Sequence, residues 1–192
     1  MEQIRDAEAK AGGEDQKLTE TVARNLFKLM AIKDEYEVAR LYSNGDFLKQ
    51  ISTQFESFNK LEFHLAPPLL AKRNDKGELQ KSAYGPRMMK AFRWLARARF
   101  LRGGMFDIFG HTQERKMERQ LLADYETVLD EIIAGLSADN LQAAIALANY
   151  PDIIKGFGHV KERNVEKAKV ERRSLRAGFK NVGGLDALEA AE

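Results

Sequence analysis

Cysteine occurs nowhere in the chain. Its absence removes disulfides, thiolate zinc sites and cysteine-ligated iron–sulfur clusters from what these residues can build, and it suits a reducing cytoplasm, the compartment expected here. Histidine is almost as scarce. His64, His111 and His159 are the three, and they form no HExxH, HxH or Cys/His pattern, so metal-ligand spacing is missing. No apolar run approaches the roughly 18 residues that a membrane-spanning helix requires, and MEQIRDAEAKAGGEDQK at the start lacks the apolar core of a signal peptide. A GxSxG nucleophile elbow and a Walker phosphate loop are also lacking.

What is present describes a folded protein with a core. The 192 residues suit about one domain, and the 44% hydrophobic and 31% charged content is that of a soluble globular chain. The net charge of +2 is unevenly spread. Between Lys72 and Arg102, ten Lys/Arg face only Asp75 and Glu78, so this strip carries +8 and the remainder −6. Such a strip could attract phosphates, a nucleic acid or an acidic protein surface.

Apolar periodicity predicts a mainly α (α+β) fold: a helical domain with a small antiparallel hairpin around residues 60–84. Residues 1–17 are small, charged and glycine-bearing and read as a flexible tail or linker. A long central helix is expected from Leu18 to Tyr42, because LTETVARNLFKLMAIKDEYEVARLY holds neither Gly nor Pro. Ser43-Asn44-Gly45-Asp46 ends it, and DFLKQISTQFESF spaces Phe47, Leu48, Ile51, Phe55 and Phe58 as a second helix. Leu61, Phe63 and Leu65 then alternate with Glu62 and His64, the period of a strand with one buried face. A turn is expected at Asn74–Gly77, and Gly85-Pro86 opens a helix over PRMMKAFRWLARARFLR. Met89, Phe92, Leu95 and Trp94 supply its apolar side, and Arg87, Lys90, Arg93 and Arg97 a basic face without acids. The clearest helix runs from Met117 through Leu121, Leu122, Tyr125, Val128, Leu129, Ile132 and Ile133. Another starts at Ser137–Asn140 and stops before Pro151. A last, highly charged helix has the thin apolar stripe Val165, Ala168 and Leu175. A single domain over 18–180 is therefore expected, with a loose tail over 181–192.

Two phrases repeat. FGHTQER at Phe109–Arg115 and FGHVKER at Phe157–Arg163 share five of seven positions and hold two of the three histidines. A duplicated unit would keep its apolar register downstream. Instead, Leu121, Leu122 and Tyr125 fall opposite Lys169, Val170 and Arg173, so the likeness ends within a turn. Both phrases fit a helix start, with Glu114 or Glu162 three residues after the histidine as in a capping box, and with Thr112 competing for the cap in the first. The second phrase allows a further reading. Gly156, Gly158, His159 and Lys161 place two glycines and a cation at a helix start, where backbone N–H groups can hold an anion.

Four phrases carry a resemblance to a known family: ARNLFKLMAIKDEYEVARLY at 23–42, FHLAPPLLAKR at 63–73, YGPRMMKAFRWLARARFLRGGMFDIFG at 84–110 and GFGHVKERN at 156–164. In this order and spacing the chain resembles the C-terminal region of the long, fused indolepyruvate ferredoxin oxidoreductases over about residues 18–180. The resemblance implies a parent enzyme that oxidatively decarboxylates arylpyruvates such as indolepyruvate to an acyl-CoA. That enzyme uses thiamine diphosphate and Mg²⁺ and passes electrons through iron–sulfur centres to ferredoxin. Its thiamine diphosphate sites use a GDG-type motif with a later Asn pair; here the nearest string is Asn44-Gly45-Asp46-Phe47, with neither the second glycine nor the pair. In the family's phrases, GFGHVK is the typical string while the first-copy histidine can be Tyr, which separates the roles of His111 and His159.

The expectation is therefore a C-terminal accessory domain, excised or separately encoded, that binds no cofactor by itself and has no catalytic or metal-binding residues of its own. Expected partners are the parent's catalytic domains, met through the basic 72–102 region, with ferredoxin and a second copy as further candidates and no membrane. The alternative is a free-standing anion- or nucleic-acid-binding helical module using that region, which the balanced overall charge disfavours. A third reading, a small enzyme using His159 with Lys161, requires an exposed, pocket-lining imidazole.

Overall fold

The computed structural model describes residues 1–32, 34–67, 71–72 and 80–189, with side chains up to residue 182. Among them the chain forms eight α-helices and one two-stranded antiparallel sheet, the mainly helical fold with a small hairpin that the periodicity predicts. It groups into two compact units, 1–32 with 117–192 and 33–116.

The first unit is built from α1 (Glu2–Lys10), α2 (Lys17–Met30), most of α6 (Gln113–Gly135), α7 (Leu141–Ala148) and α8 (Gly158–Glu189). Its core joins Leu18, Val22 and Leu29 of α2 to Leu121, Tyr125, Val128 and Ile132 of α6, with Leu147 of α7 and Val165, Ala168 and Phe179 of α8. These are the positions that recur at helical spacing on each element, and each large side chain buried there contributes roughly 1.5–3 kcal/mol. Polar groups fix the contacts. The Asn25 amide donates to the carbonyls of Thr21 and Ala148, and the buried Tyr125 hydroxyl donates to Ala148 O at 2.9 Å.

The expected N-terminal tail is corrected. Residues 2–10 are helical, Ile4 joins the core, and Glu8 is buried with its carboxylate on the first turn of α2. Oε1 accepts the Leu18 amide at 2.8 Å; Oε2 accepts the Thr19 amide at 2.8 Å and its hydroxyl at 2.6 Å. One long-range carboxylate thus satisfies the orphan donors of a helix whose own N-cap residue, Gln16, offers no side-chain bond. At the other end, α8 continues to Glu189 through the segment expected to be loose.

The second unit holds α3 (Glu35–Ser43), α4 (Asp46–Gln54), β1 (Phe63–Leu65), β2 (Ser82–Tyr84) and α5 (Met88–Arg97), followed by a 3-10 turn at Ala98–Leu101. β1 and β2 pair with Phe63 opposite Tyr84 and Leu65 opposite Ser82. Phe63 points inward while Glu62 and His64 face solvent, as the alternation predicts. The expected turn at Asn74–Gly77 lies outside the described residues. An aromatic cluster forms the core: Tyr42 stacks on Phe92 at 5.1 Å, and Phe63 meets both edge-on at 5.2 Å. These pairs add about 0.5–1.5 kcal/mol each beyond their buried area.

The single long helix expected from Leu18 to Tyr42 is two helices. α2 stops at Met30, and Asp34 starts α3 by accepting the Glu37 amide at 2.8 Å. Asp34 is buried and gripped by Arg102, whose Nη2 donates to Oδ1 at 2.7 Å while Nε lies 2.6 Å from Oδ2. A cap held by a two-bond guanidinium fork replaces the helical path here. The helix over 46–58 also ends early, at Gln54, leaving Phe55 and Phe58 exposed.

Candidate interaction surface

The two candidate sites occupy different units. At the start of α8, Gly156 and Gly158 adopt φ of +93° and +54°. At Gly156 a Cβ would approach Val160 Cγ1 to 2.7 Å, so both backbone conformation and packing require glycine there. His159 is exposed. Lys161 is not presented to an incoming anion: its ammonium forms an ion pair with Glu118 of α6, and both side chains are largely buried. The lysine that gave the second phrase its phosphate-binding character instead fastens α8 to α6. A hollow of about 530 Å³ in the same unit is lined by Asp6, Lys10, Asp130, Ile133 and Leu136 among others, and includes neither His159 nor Lys161. The first phrase starts α6 through Thr112, whose hydroxyl accepts the Arg115 amide at 3.4 Å, while His111 is exposed.

In the second unit, Phe92 of α5 is buried, and Met89 and Leu95 pack against the aromatic cluster. Arg87, Lys90, Arg93 and Arg97 stand on the outer side, all exposed. Trp94, expected on the apolar side, is 72% exposed, because it lies two positions from Phe92 and therefore on the outward arc of the helix. The Arg97 guanidinium covers its ring at 5.9 Å. Neither Asp nor Glu occurs from Leu79 to Phe106, and no ion pair involves Arg87, Lys90 or Arg93 among the described residues. Arg102, at the end of the segment, is paired with Asp34.

The segment after α5 is an ordered loop. Its backbone turns through Gly104 N to Leu101 O at 2.9 Å, Asp107 N to Gly104 O at 3.1 Å and Gly110 N to Asp107 O at 3.1 Å. Inside these turns sits the buried carboxylate of Asp107. Oδ2 accepts the Gly103 amide at 2.8 Å, and Oδ1 accepts the Gly110 amide at 3.0 Å and the Tyr36 hydroxyl at 3.2 Å. Burial pushes the Asp107 carboxyl up, but the donated hydrogen bonds outweigh it and hold the group below the usual aspartate range. Phe109 turns inward and meets Tyr36 edge-on at 5.4 Å. The neighbouring Glu35 behaves oppositely: burial raises its carboxyl despite Arg115, whose Nε lies 3.9 Å away. The signal available in the sequence is the spacing Gly103 … Asp107 … Gly110: Gly103 sits at φ +74° and a Cβ at Gly110 would come 2.5 Å from Asp107 Oδ2, so both positions require glycine.

No group of three or more His, Cys, Asp or Glu side chains is placed to hold a metal among the described residues, and no described helix is long and apolar enough to cross a membrane. The fold and surface define a mainly helical protein of two units, one of which exposes a basic and aromatic face. The chain belongs to the family described as a family of unknown function (DUF6537), whose model matches residues 1–174. No curated protein and no solved structure matches it.

Proposed function

We propose that the chain is the C-terminal accessory domain of an indolepyruvate ferredoxin oxidoreductase, acting by packing against the catalytic domains and not by binding a cofactor itself. The observation that carries this reading is the run of four phrases, in family order, across residues 23–164. The unpaired basic face of α5 supports it, since a surface rich in Arg with an exposed Trp has the composition of a protein interface. In the parent, the iron–sulfur centres belong to other domains because cysteine is absent from this segment, and thiamine diphosphate with Mg²⁺ is assigned there too because Asn44-Gly45-Asp46-Phe47 lacks the second glycine and the Asn pair of the family's motif. Location in the cytoplasm and contact with ferredoxin are parts of the same proposal.

The test mixes the chain with the separately produced thiamine-binding and cluster-bearing region of such an oxidoreductase and follows sedimentation velocity. A single faster-sedimenting complex is expected, and two independent boundaries would overturn the reading. Calorimetric titration of the chain alone with thiamine diphosphate and Mg²⁺ is expected to give no saturable heat; saturable binding would count against it. The alternative, a free-standing nucleic-acid module, rests on the same α5 face and predicts salt-dependent retention on a polyanion that Arg93→Glu with Arg97→Glu abolishes.

A further inference from the structure

Three neighbouring side chains on the loop after α5 face solvent to an unusual degree for their chemistry: Met105 is 87% exposed, Phe106 74% and Ile108 58%. Phe100, just before the loop, is 80% exposed. Scattered apolar residues on a surface need no explanation, but three within four positions of a single loop are of the kind that marks an interaction site.

The loop is fixed and not merely unburied. Asp107 holds Gly103 and Gly110 by their amides and Tyr36 by its hydroxyl. A Cβ at Gly110 would come within 2.5 Å of Asp107 Oδ2, and Gly103 sits at φ +74°, so the sequence is committed to this conformation. The hydrogen bonds and Phe109 face inward, while Met105, Phe106 and Ile108 are left outside. A rigid loop that displays its apolar side chains has its ordering entropy already spent before any partner arrives, which favours binding.

We propose that loop 103–110, with Trp94, is the docking element of the second unit, inserting Met105, Phe106 and Ile108 into an apolar pocket rimmed by carboxylates on the catalytic region. This inference rests on the accessory-domain reading and specifies its contact. The carboxylate rim follows from charge complementarity. Arg87, Lys90, Arg93 and Arg97 precede the loop, exposed and with no acid among them, and a partner acid would meet cations that have no internal pair. Trp and Arg dominate the energetics of protein interfaces, and Met is enriched there. A single-stranded nucleic acid fits less well. It needs stacking platforms along a groove, and Met105 and Ile108 have no ring face to offer.

The experiment measures the Kd between the full chain and the catalytic region for the unsubstituted protein and four variants. The double variant Met105→Ser with Phe106→Ser is expected to weaken binding by about 100-fold, as loss of interface anchors does. Arg93→Glu with Arg97→Glu is expected to weaken it by about tenfold or more and to flatten its dependence on salt. Val170→Ser, which removes an apolar side chain 66% exposed on the first unit, should leave Kd unchanged. All substituted residues are exposed, so melting temperature and circular dichroism should match the parent chain; Ile108→Ser, tested separately, provides a second loop variant. If the unsubstituted chain binds and every loop variant binds within threefold of it, the docking assignment is overturned while the accessory-domain reading stands. Failure of the unsubstituted chain to bind overturns both. Tight binding of a fluorescein-labelled 20-nucleotide oligothymidine that Phe106→Ser abolishes would make this a nucleic-acid surface. Self-association lost on the same substitution would assign it to a second copy. Either result overturns the proposal.

Discussion

The Glu8 carboxylate accepts the Leu18 amide hydrogen bond at 2.8 Å across ten residues of sequence, so α1 supplies the N-terminal cap of α2. Replacing the carboxylate leaves three donors, those of Leu18 N, Thr19 N and Thr19 Oγ1, without this acceptor inside a largely buried site. Glu8→Ala should therefore destabilise the first unit by about 2 kcal/mol. Urea denaturation checks it: the midpoint should fall with the slope unchanged.

The Asp107 carboxyl is held below the usual aspartate range by the donors around it. A depressed carboxyl contributes stability that is present above its unfolded value of about 3.9 and is lost as pH falls through the lower folded value. The amide resonances of Gly103 and Gly110 report this directly, and their common acid transition should lie below pH of about 3.9. Glu35 carries the opposite sign. Its raised carboxyl contributes most below the ordinary glutamate value, and that contribution is lost as pH rises through the folded one.

Gly110→Ala places a methyl group 2.5 Å from Oδ2 of Asp107, whose carboxylate three hydrogen bonds keep in position. The expected cost is about 1–3 kcal/mol for the second unit. Met105→Ser, on the same loop but outside, should stay within about 0.5 kcal/mol. Thermal unfolding followed at Trp94, the chain's single tryptophan, separates the two outcomes.

Lys161→Ala removes one partner of the largely buried pair with Glu118. Discounting for the partial exposure of the lysine, this should cost about 2 kcal/mol. Lys169→Ala breaks the exposed pair with Glu166 at 2.7 Å and should change stability by less than about 0.5 kcal/mol. Calorimetric melting of both variants tests whether Lys161 is a structural residue, as the ion pair indicates, and not a ligand-binding one.

Much of the fold was legible because its elements repeat apolar residues at helical or strand period. Leu121, Tyr125, Val128 and Ile132 on α6, and Phe63 between Glu62 and His64 on β1, lie where the pattern puts them. What escaped depends on contacts distant in sequence. EQIRDAEAK has one large apolar residue, Ile4, and forms part of the core only because Glu8 finds α2 ten residues on. The break between α2 and α3 carries no glycine or proline; Asp34 and Arg102, 68 residues apart, create it. The same is true of the candidate sites. The basic face on α5 could be read from charge alone, but the partner of Lys161 lies 43 residues away and the inward turn of Asp107 is set by Tyr36, 71 residues earlier. The conformation of loop 103–110 therefore does not follow from local pattern, although its glycine spacing is visible in the sequence.

The central claim, an accessory domain that docks through its second unit, is tested most directly by fluorine NMR. The chain labelled with 5-fluorotryptophan carries one signal, that of Trp94, exposed beside Arg97. Addition of the unlabelled thiamine-binding and cluster-bearing region of an indolepyruvate ferredoxin oxidoreductase should shift and broaden that signal saturably. A signal unchanged in position and width at saturating partner would contradict the account.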